Sequence, residues 1–545
     1  MMTRTLRALG ASALLATLAA TGAAWATPWF GQGLPPPVND PTKPVLPVRD
    51  DLPPQPATFG PGPKSPLLAG ERIKVDVATI VSFSLESRAA GDYLWGRMSG
   101  APAYYKTASW AVDELRKAGL ADAHLEDFQA ALSTPLSGEA RIVGVPSFGE
   151  GTRDIVLQSA VVGGRGPVNG VVTAPLIYVG HASAADLLGR DVTGKIAVIH
   201  SLPDPGLFGA PEVGRPAALM KAGAVGVIEI LDQIGNMQSY DGARHGCGTQ
   251  LCFTVGGADG FFLENMLGKA GLAGKTVSAR LSATSALRTG LKTANGVATL
   301  PGKTDRTIII NAHADAYFVG ADDNAGGLAT ELALARYFAR QPRLNHTLVF
   351  VVSAGHHTQG TGLPDFRLRH EADYVSRADL IINLEHLSNV GVVRDQIMRQ
   401  VDNYGTQMVA TTTEFPKAVA VSNRAPFLID VWRQGAKCFG LSIQRVVDTV
   451  APGELGAFTM IEGMAGRNPE IAAAKLKNVA IPVTQMISAG PLYHTSGETV
   501  DAVPTPGLER AARFHAYMIQ AADAAAPGLL RGASWTPRAR CPATP

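Results

Sequence analysis

The sequence is short of charge. Of its 545 residues only 17% are Asp, Glu, Lys or Arg, and the formal net charge is +2. Two of the basic residues, Arg4 and Arg7, lie in a segment expected to be removed, so the remaining chain is close to neutral. That balance leaves no electrostatic footprint for nucleic acid or for an anionic membrane surface. Cysteine is also scarce, at four residues. Cys247 and Cys252, in GCGTQLCF, are spaced to close a small loop as a disulfide in an exported protein. A zinc knuckle lacks the second close pair it needs. The sequence does not say whether Cys438 and Cys541 meet. Past the amino-terminal segment no uncharged run is long enough to cross a bilayer, and no internal repeat is visible. Apolar residues, in contrast, make up 46%, which supplies a large core and excludes global disorder.

The amino terminus, MMTRTLRALGASALLATLAATGAAWATP, joins a basic start to an Ala-rich apolar stretch and the small-x-small ending Ala24-Trp25-Ala26. This is the form of a secretory signal peptide over residues 1–26, and it predicts export to the periplasm or the exterior, with no span in the mature chain. Residues 27–70 are proline-rich and read as an extended leader. From about 75 to 130 the pattern is helical, and Gly119 supplies a stop after YYKTASWAVDELRKAG. Residues 71–150 are the first part of the main domain in this reading. Residues 151–290 carry short β-type runs with many glycines (DIVLQSAVV, NGVVTAPLIYVG, GKIAVIHS, AGAVGVIEIL) and predict an inserted β-rich domain.

Over 291–530 the chain alternates strand and helix before a tail at 531–545. TIIINAH, TLVFVVSAG and DLIINLEHL are runs suited to burial on both faces of a sheet, and GGLATELALARYFARQ is read as an amphipathic helix between the first two. The predicted class is α/β: a mixed, largely parallel sheet flanked by helices. In such sheets the reactive site lies beyond the carboxyl ends of the strands. The polar residues there are His313-Ala314-Asp315, then Gly320-Ala321-Asp322-Asp323-Asn324 before the helix, His356-His357, Glu385-His386, and the later Tyr493-His494-Thr495. Taken singly, each is ordinary: a strand-end hydrogen-bonded pair, a helix cap, a loop histidine. Together and in order, imidazoles and carboxylates from separate strand ends are what a zinc site requires.

HAD, then GADDNAGG before a helix, a polar pair after an apolar strand, NLEH and YHT together resemble the co-catalytic zinc aminopeptidases of peptidase family M28. GKIAVIHS and AGAVGVIEIL resemble the core of an inserted protease-associated (PA) domain. The resemblance runs from about 75 to 525. It implies a metal-dependent exopeptidase acting on a peptide or small amide, with one or two zinc ions. His313 and Glu385 would hold one zinc, Asp323 would bridge, and His357 and His494 would hold the second. Asp315 would accept a hydrogen bond from His313 and raise its basicity.

The departure is at His356-His357, where the family has Glu-Glu. Imidazole is a good zinc ligand, but losing a carboxylate lowers the negative charge around the metals and predicts weaker occupancy of one position. His356 falls where the family has its general base. Its unperturbed pKa of about 6.5 suits the task, yet on accepting a proton it becomes a cation beside cationic metals, which a carboxylate does not. Two further readings therefore stand beside the peptidase: a catalytically impaired protein that binds metal or peptide, and a related zinc-dependent acyl transferase such as a glutaminyl cyclase. The PA-like insertion speaks against the latter. Oligomeric state is not legible.

Overall fold

A computed structural model describes residues 48–49 and 62–541, apart from 147–151, 164–167, 202–213, 233–234, 241–246, 248, 359, 400–402, 424, 450–452, 467, 487–488 and 539–540. The expected signal peptide and most of the proline-rich leader lie outside the described residues.

Two helices open the described chain, α1 (Gly70–Ala89) and α2 (Pro102–Ala118). Gly119 ends α2 at φ 110°, a left-handed cap that glycine adopts without steric cost. The helical pattern does not continue to 130 as expected. His124 begins β1 (His124–Pro146). The reason is tertiary: β1 pairs antiparallel with β6 (Ser278–Leu300) from His124↔Val297 to Val143↔Ser278, and that long ladder overrides local periodicity.

Between these two strands lie β2 (Asn169–Tyr178), β3 (Ile196–Ser201), β4 (Gly226–Leu231), β5 (Cys252–Val255) and helix α3 (Gly257–Leu272). Strands β2 to β5 are parallel neighbours in that order. With the proximal halves of β1 and β6 they enclose a core of their own, including Ile142, Ile196, Val198, Ile228, Phe253, Leu263 and Leu281. Cys247 and Cys252 are joined as a disulfide at the start of β5. Cys438 and Cys541 are joined as well, fixing the end of the chain to a helix.

The second body follows β6: β7 (Thr307–His313), α4 (Gly327–Phe338), β8 (Thr347–Ser353), β9 (Ala378–Asn383), β10 (Lys417–Val421), α5 (Pro426–Phe439), β11 (Ile443–Asp448), β12 (Val483–Met486) and α6 (Thr505–Asp523). The sheet order is β11-β10-β12-β9-β7-β8-β6-β2-β3-β4-β5, so one continuous sheet spans both bodies. Strand β7 pairs in parallel with β8 and β9, β9 with β12, and β10 with β11, while β6–β8 and β10–β12 are antiparallel. The fold is thus mixed α/β, as the apolar runs indicate. Successive residues of β7 point to opposite faces. Ile308 and Ile310 join the cluster under α1, α2, α4 and α6, whereas Ile309 joins Val349, Val351, Phe366 and Phe458 on the other side. Each such side chain, fully buried, stabilises by about 1.5–3 kcal/mol. Helix α4 is not amphipathic in its surroundings: every residue from Gly327 to Phe338 is buried, because α1, α2 and α6 pack over the face expected to meet solvent.

Outside the main site, His200 at the end of β3 sits between two carboxylates, with Nδ1 2.8 Å from Glu264 Oε1 and Nε2 3.7 Å from Asp232 Oδ2. Hydrogen bonding to Asp232 and Glu264 raises its pKa to about 9 against the opposing effect of burial. A raised folded-state pKa stabilises fully below the unfolded value of about 6.5 and is lost as pH climbs through the folded value. His200→Gln is therefore expected to lower unfolding free energy by about 1 kcal/mol below pH 6.5, after allowance for screening, and by nothing above about pH 9. Urea unfolding of both proteins across that range checks it. A pH-independent difference contradicts the ion-pair account.

Candidate metal centre

The buried strand β7 delivers His313 as its last residue, and the chain then turns through Ala314 and Asp315. That turn is held from outside the sequence motif. The fully buried Arg97 donates from Nε to the carbonyl of Ala314 (3.1 Å), from Nη1 to that of Val319 (2.9 Å) and from Nη2 to that of Gly320 (2.9 Å). Asp322 and Asp323 follow in the turn before α4, where Asn324 Oδ1 accepts from Gly327 N–H at 3.2 Å. Beyond β8, the carboxylate of Asp315 accepts the backbone N–H of His356 (3.1 Å) and of His357 (2.8 Å). This is more than the expected hydrogen bond to His313. His313 Nδ1 lies 3.0 Å from the Asp315 carbonyl oxygen and 3.5 Å from its carboxylate, so the carboxylate chiefly pins the two-histidine turn.

Asp323 lies at the middle. Its Oδ1 is 3.0 Å from His313 Nε2, and Glu385 Oε1 is 3.3 Å from the same nitrogen. Its Oδ2 is 3.3 Å from His357 Nε2 and 3.1 Å from His494 Nε2. Two donors about 2.0–2.1 Å from one tetrahedral zinc lie roughly 3.3 Å apart, so these separations suit a shared ion. Both Asp323 oxygens and His357 Nε2 are buried yet make no hydrogen bond, an arrangement that costs about 1–3 kcal/mol per group unless something else meets them. The donor sets His313–Asp323–Glu385 and Asp323–His357–His494 each converge closely enough for one metal ion, as does His313–His356–His357. The donors and their unmet valences fit zinc.

Electrostatics follow from the crowding. For Asp323, burial opposes ionisation, but His357, His313 and His494 hold its carboxyl well below the usual range. Glu385 is held at about 2, with His386, His313 and His356 outweighing burial. Burial opposes a charge on His313, while Glu454, Asp315, Asp323 and Glu385 together raise it well above its ordinary value. His356 moves the other way, to about 3, through burial and then His313 and His357. Its imidazole is neutral at ordinary pH and keeps a lone pair.

Of the remaining supports, Asp322 and His386 stand beside ligands marked in the sequence, and the others carried no such mark. Glu498 accepts the Asp323 N–H at 2.8 Å. Asp322, adjacent to the central carboxylate, accepts from Asn389 (2.7 Å) and lies 3.2 Å from His386 Nδ1, tying two loops together. The insert takes part as well. The Tyr240 N–H donates to the carbonyl of His494 (3.1 Å), and Gln238 and Ser496 bond reciprocally (Ser496 N–H to Gln238 carbonyl 2.9 Å, Gln238 N–H to Ser496 Oγ 3.0 Å). Only the run YHTSGETV offered a signal, since Glu498 falls four residues after His494.

The α/β sheet thus brings imidazoles and carboxylates together beyond the ends of β7, β8 and β9, in groups that could hold a metal ion. The family comparison is specific: residues 295–519 match the model of peptidase family M28. Among solved structures, an M28 peptidase precursor from Shewanella amazonensis aligns with a TM-score of 0.56 at 16% identity, covering 83% of this chain and 96% of its own. A zinc aminopeptidase from Bacillus subtilis aligns with a TM-score of 0.50 at 17% identity, covering 84% and 94%. At such identities the likeness is one of fold. No curated protein matches the sequence.

Proposed function

We propose that the chain is an exported metal-dependent exopeptidase of aminopeptidase type, with His313, Asp323, His357, Glu385 and His494 as its metal ligands and His356 as its base. The observation that carries this reading is the division of Asp323: one oxygen faces His313 and Glu385, the other faces His357 and His494. That is the geometry of a carboxylate shared by two cations. When bound, zinc supplies polarisation of the scissile carbonyl and a lowered pKa for water.

The protein residues do the rest. His356 directs Nε2 into the centre, 3.6 Å from Glu385 Oε1, and its side chain remains 14% exposed, open to a substrate. It accepts a proton at Nε2 from the attacking water and returns it to the departing amine. One C–O bond forms, the C–N bond breaks, and the amine nitrogen gains the proton. Asp315 fixes the turn that presents both histidines. The insert, read as PA-like, seats the His494 loop. Two disulfides support an oxidising destination, and among the described residues no helix is long and apolar enough to cross a membrane.

Protein purified without added metal is expected to contain zinc and to release amino acids from aminoacyl reporters. Chelation should abolish the release and zinc should restore it. Release that is unchanged by chelation, or absent from zinc-loaded protein, contradicts the proposal.

A further inference from the structure

The imidazole of His356 has two nitrogens, and they face different things. Nε2 points to the centre. Nδ1 points away from it, toward Glu454, whose Oε2 is 3.9 Å distant. Glu454 comes from a short turn (Gly453–Leu455) remote in sequence from every strand end that builds the centre. Its carboxyl group is buried beneath the carboxyl ends of β7 and β8 and is held in place on one side: Asn311 Nδ2 donates to Oε1 at 2.8 Å. The other oxygen has a longer approach from Ser353 Oγ, 3.4 Å, and faces His356. The same turn touches the ring itself. A Cβ placed on Gly453, which has φ +67°, would lie 3.4 Å from His356 Cε1, the atom between the two nitrogens. The turn therefore packs along the edge of the imidazole and aims a carboxyl group at its far nitrogen.

Burying a carboxyl group among Glu385, Asp315 and apolar neighbours is unfavourable, and burial, followed by those charges, raises the Glu454 pKa to about 8. Leu455 and Phe458, next along the chain, are packed into the apolar cluster under the sheet. One oxygen of Glu454 satisfies Asn311, which leaves the other facing His356. A carboxyl oxygen that accepts the Nδ1–H of the ring selects the tautomer that leaves the working nitrogen free.

Resting on the role of His356 given above, we propose that Glu454 is the positioning residue for His356: it faces Nδ1 and fixes the ring with Nε2 toward the centre.

The test uses Glu454→Gln, which keeps the volume and the Asn311 contact, in the wild-type and in the His356→Ala background. Glu454→Gln is expected to lower kcat about 10–100-fold, the usual effect of a residue that orients a working imidazole, with KM within about twofold and zinc content unchanged. In the His356→Ala background the same change should alter kcat by less than about twofold. An equal loss in both backgrounds, or a loss of zinc, would show a merely structural role. A second readout needs no turnover. In zinc-loaded protein carrying ring-¹⁵N histidine, His356 should show the Nδ1–H tautomer, converted to a mixture by Glu454→Gln. The Nε2–H tautomer in the wild type overturns the proposal. If the wild type binds zinc but cleaves nothing, the hydrolase reading fails, and the nitrogen spectrum alone decides the role of Glu454.

Discussion

Asp323→Ala is expected to empty both halves of the centre at once. Each Asp323 oxygen belongs to a different donor group, so deleting the side chain leaves His313 with Glu385 on one side and His357 with His494 on the other. Two donors do not retain zinc well at neutral pH, because structural and catalytic sites alike use three or four, so any zinc that remains would rest on His313, His356 and His357. The expected outcome is loss of bound zinc from purified protein and a fall in kcat/KM of roughly 10³-fold or more. Removing one outer ligand should be milder. His494→Ala leaves His313, Asp323 and Glu385 intact, so half of the centre should survive. Zinc measured per chain for the two variants checks the distinction. Equal zinc in Asp323→Ala and wild type would contradict a shared carboxylate.

The second large effect is on proton transfer. His356→Ala is expected to lower kcat by about 10²–10³-fold while KM and zinc content stay close to wild type, since general-base groups contribute on that scale. His356 is neutral in the protein alone, pushed down by burial and by its imidazole neighbours, which leaves its lone pair free and makes it a weaker base than an exposed imidazole. Its ring also lies 4.4 Å from that of His313, and His313–His356–His357 is itself a convergent donor set. Zinc content therefore decides the point. If His356→Ala loses zinc in proportion to activity, His356 is a ligand and the base lies elsewhere.

How much of this was legible in the sequence depended on what surrounds each residue. His313, Asp323, His356, His357 and Glu385 each follow, or sit between, apolar runs that could only be buried strands and a helix, so their order along the chain placed them at one end of a sheet. His494 lacks such a run and was legible only through the YHT pattern. Glu454 carried no signal: VAPGELGAF reads as an ordinary turn, and its meaning comes from a fold that brings Gly453 against the ring of His356. Arg97 was equally silent, being a lone cation in GDYLWGRMSG whose role depends on three carbonyls more than two hundred residues away. The segment from His124 onward misled because local helical spacing was outweighed by pairing with β6. The sided helix expected over 327–338 lost its polar face to three neighbouring helices.

The most direct test of the whole account is crystallographic: anomalous scattering at the zinc absorption edge from crystals of protein purified without added metal. The account predicts density beside Asp323, within about 2.0–2.2 Å of its carboxylate and of His313, Glu385, His357 or His494 nitrogen and oxygen donors. A map with no peak there, or with zinc bound only elsewhere on the chain, would contradict it.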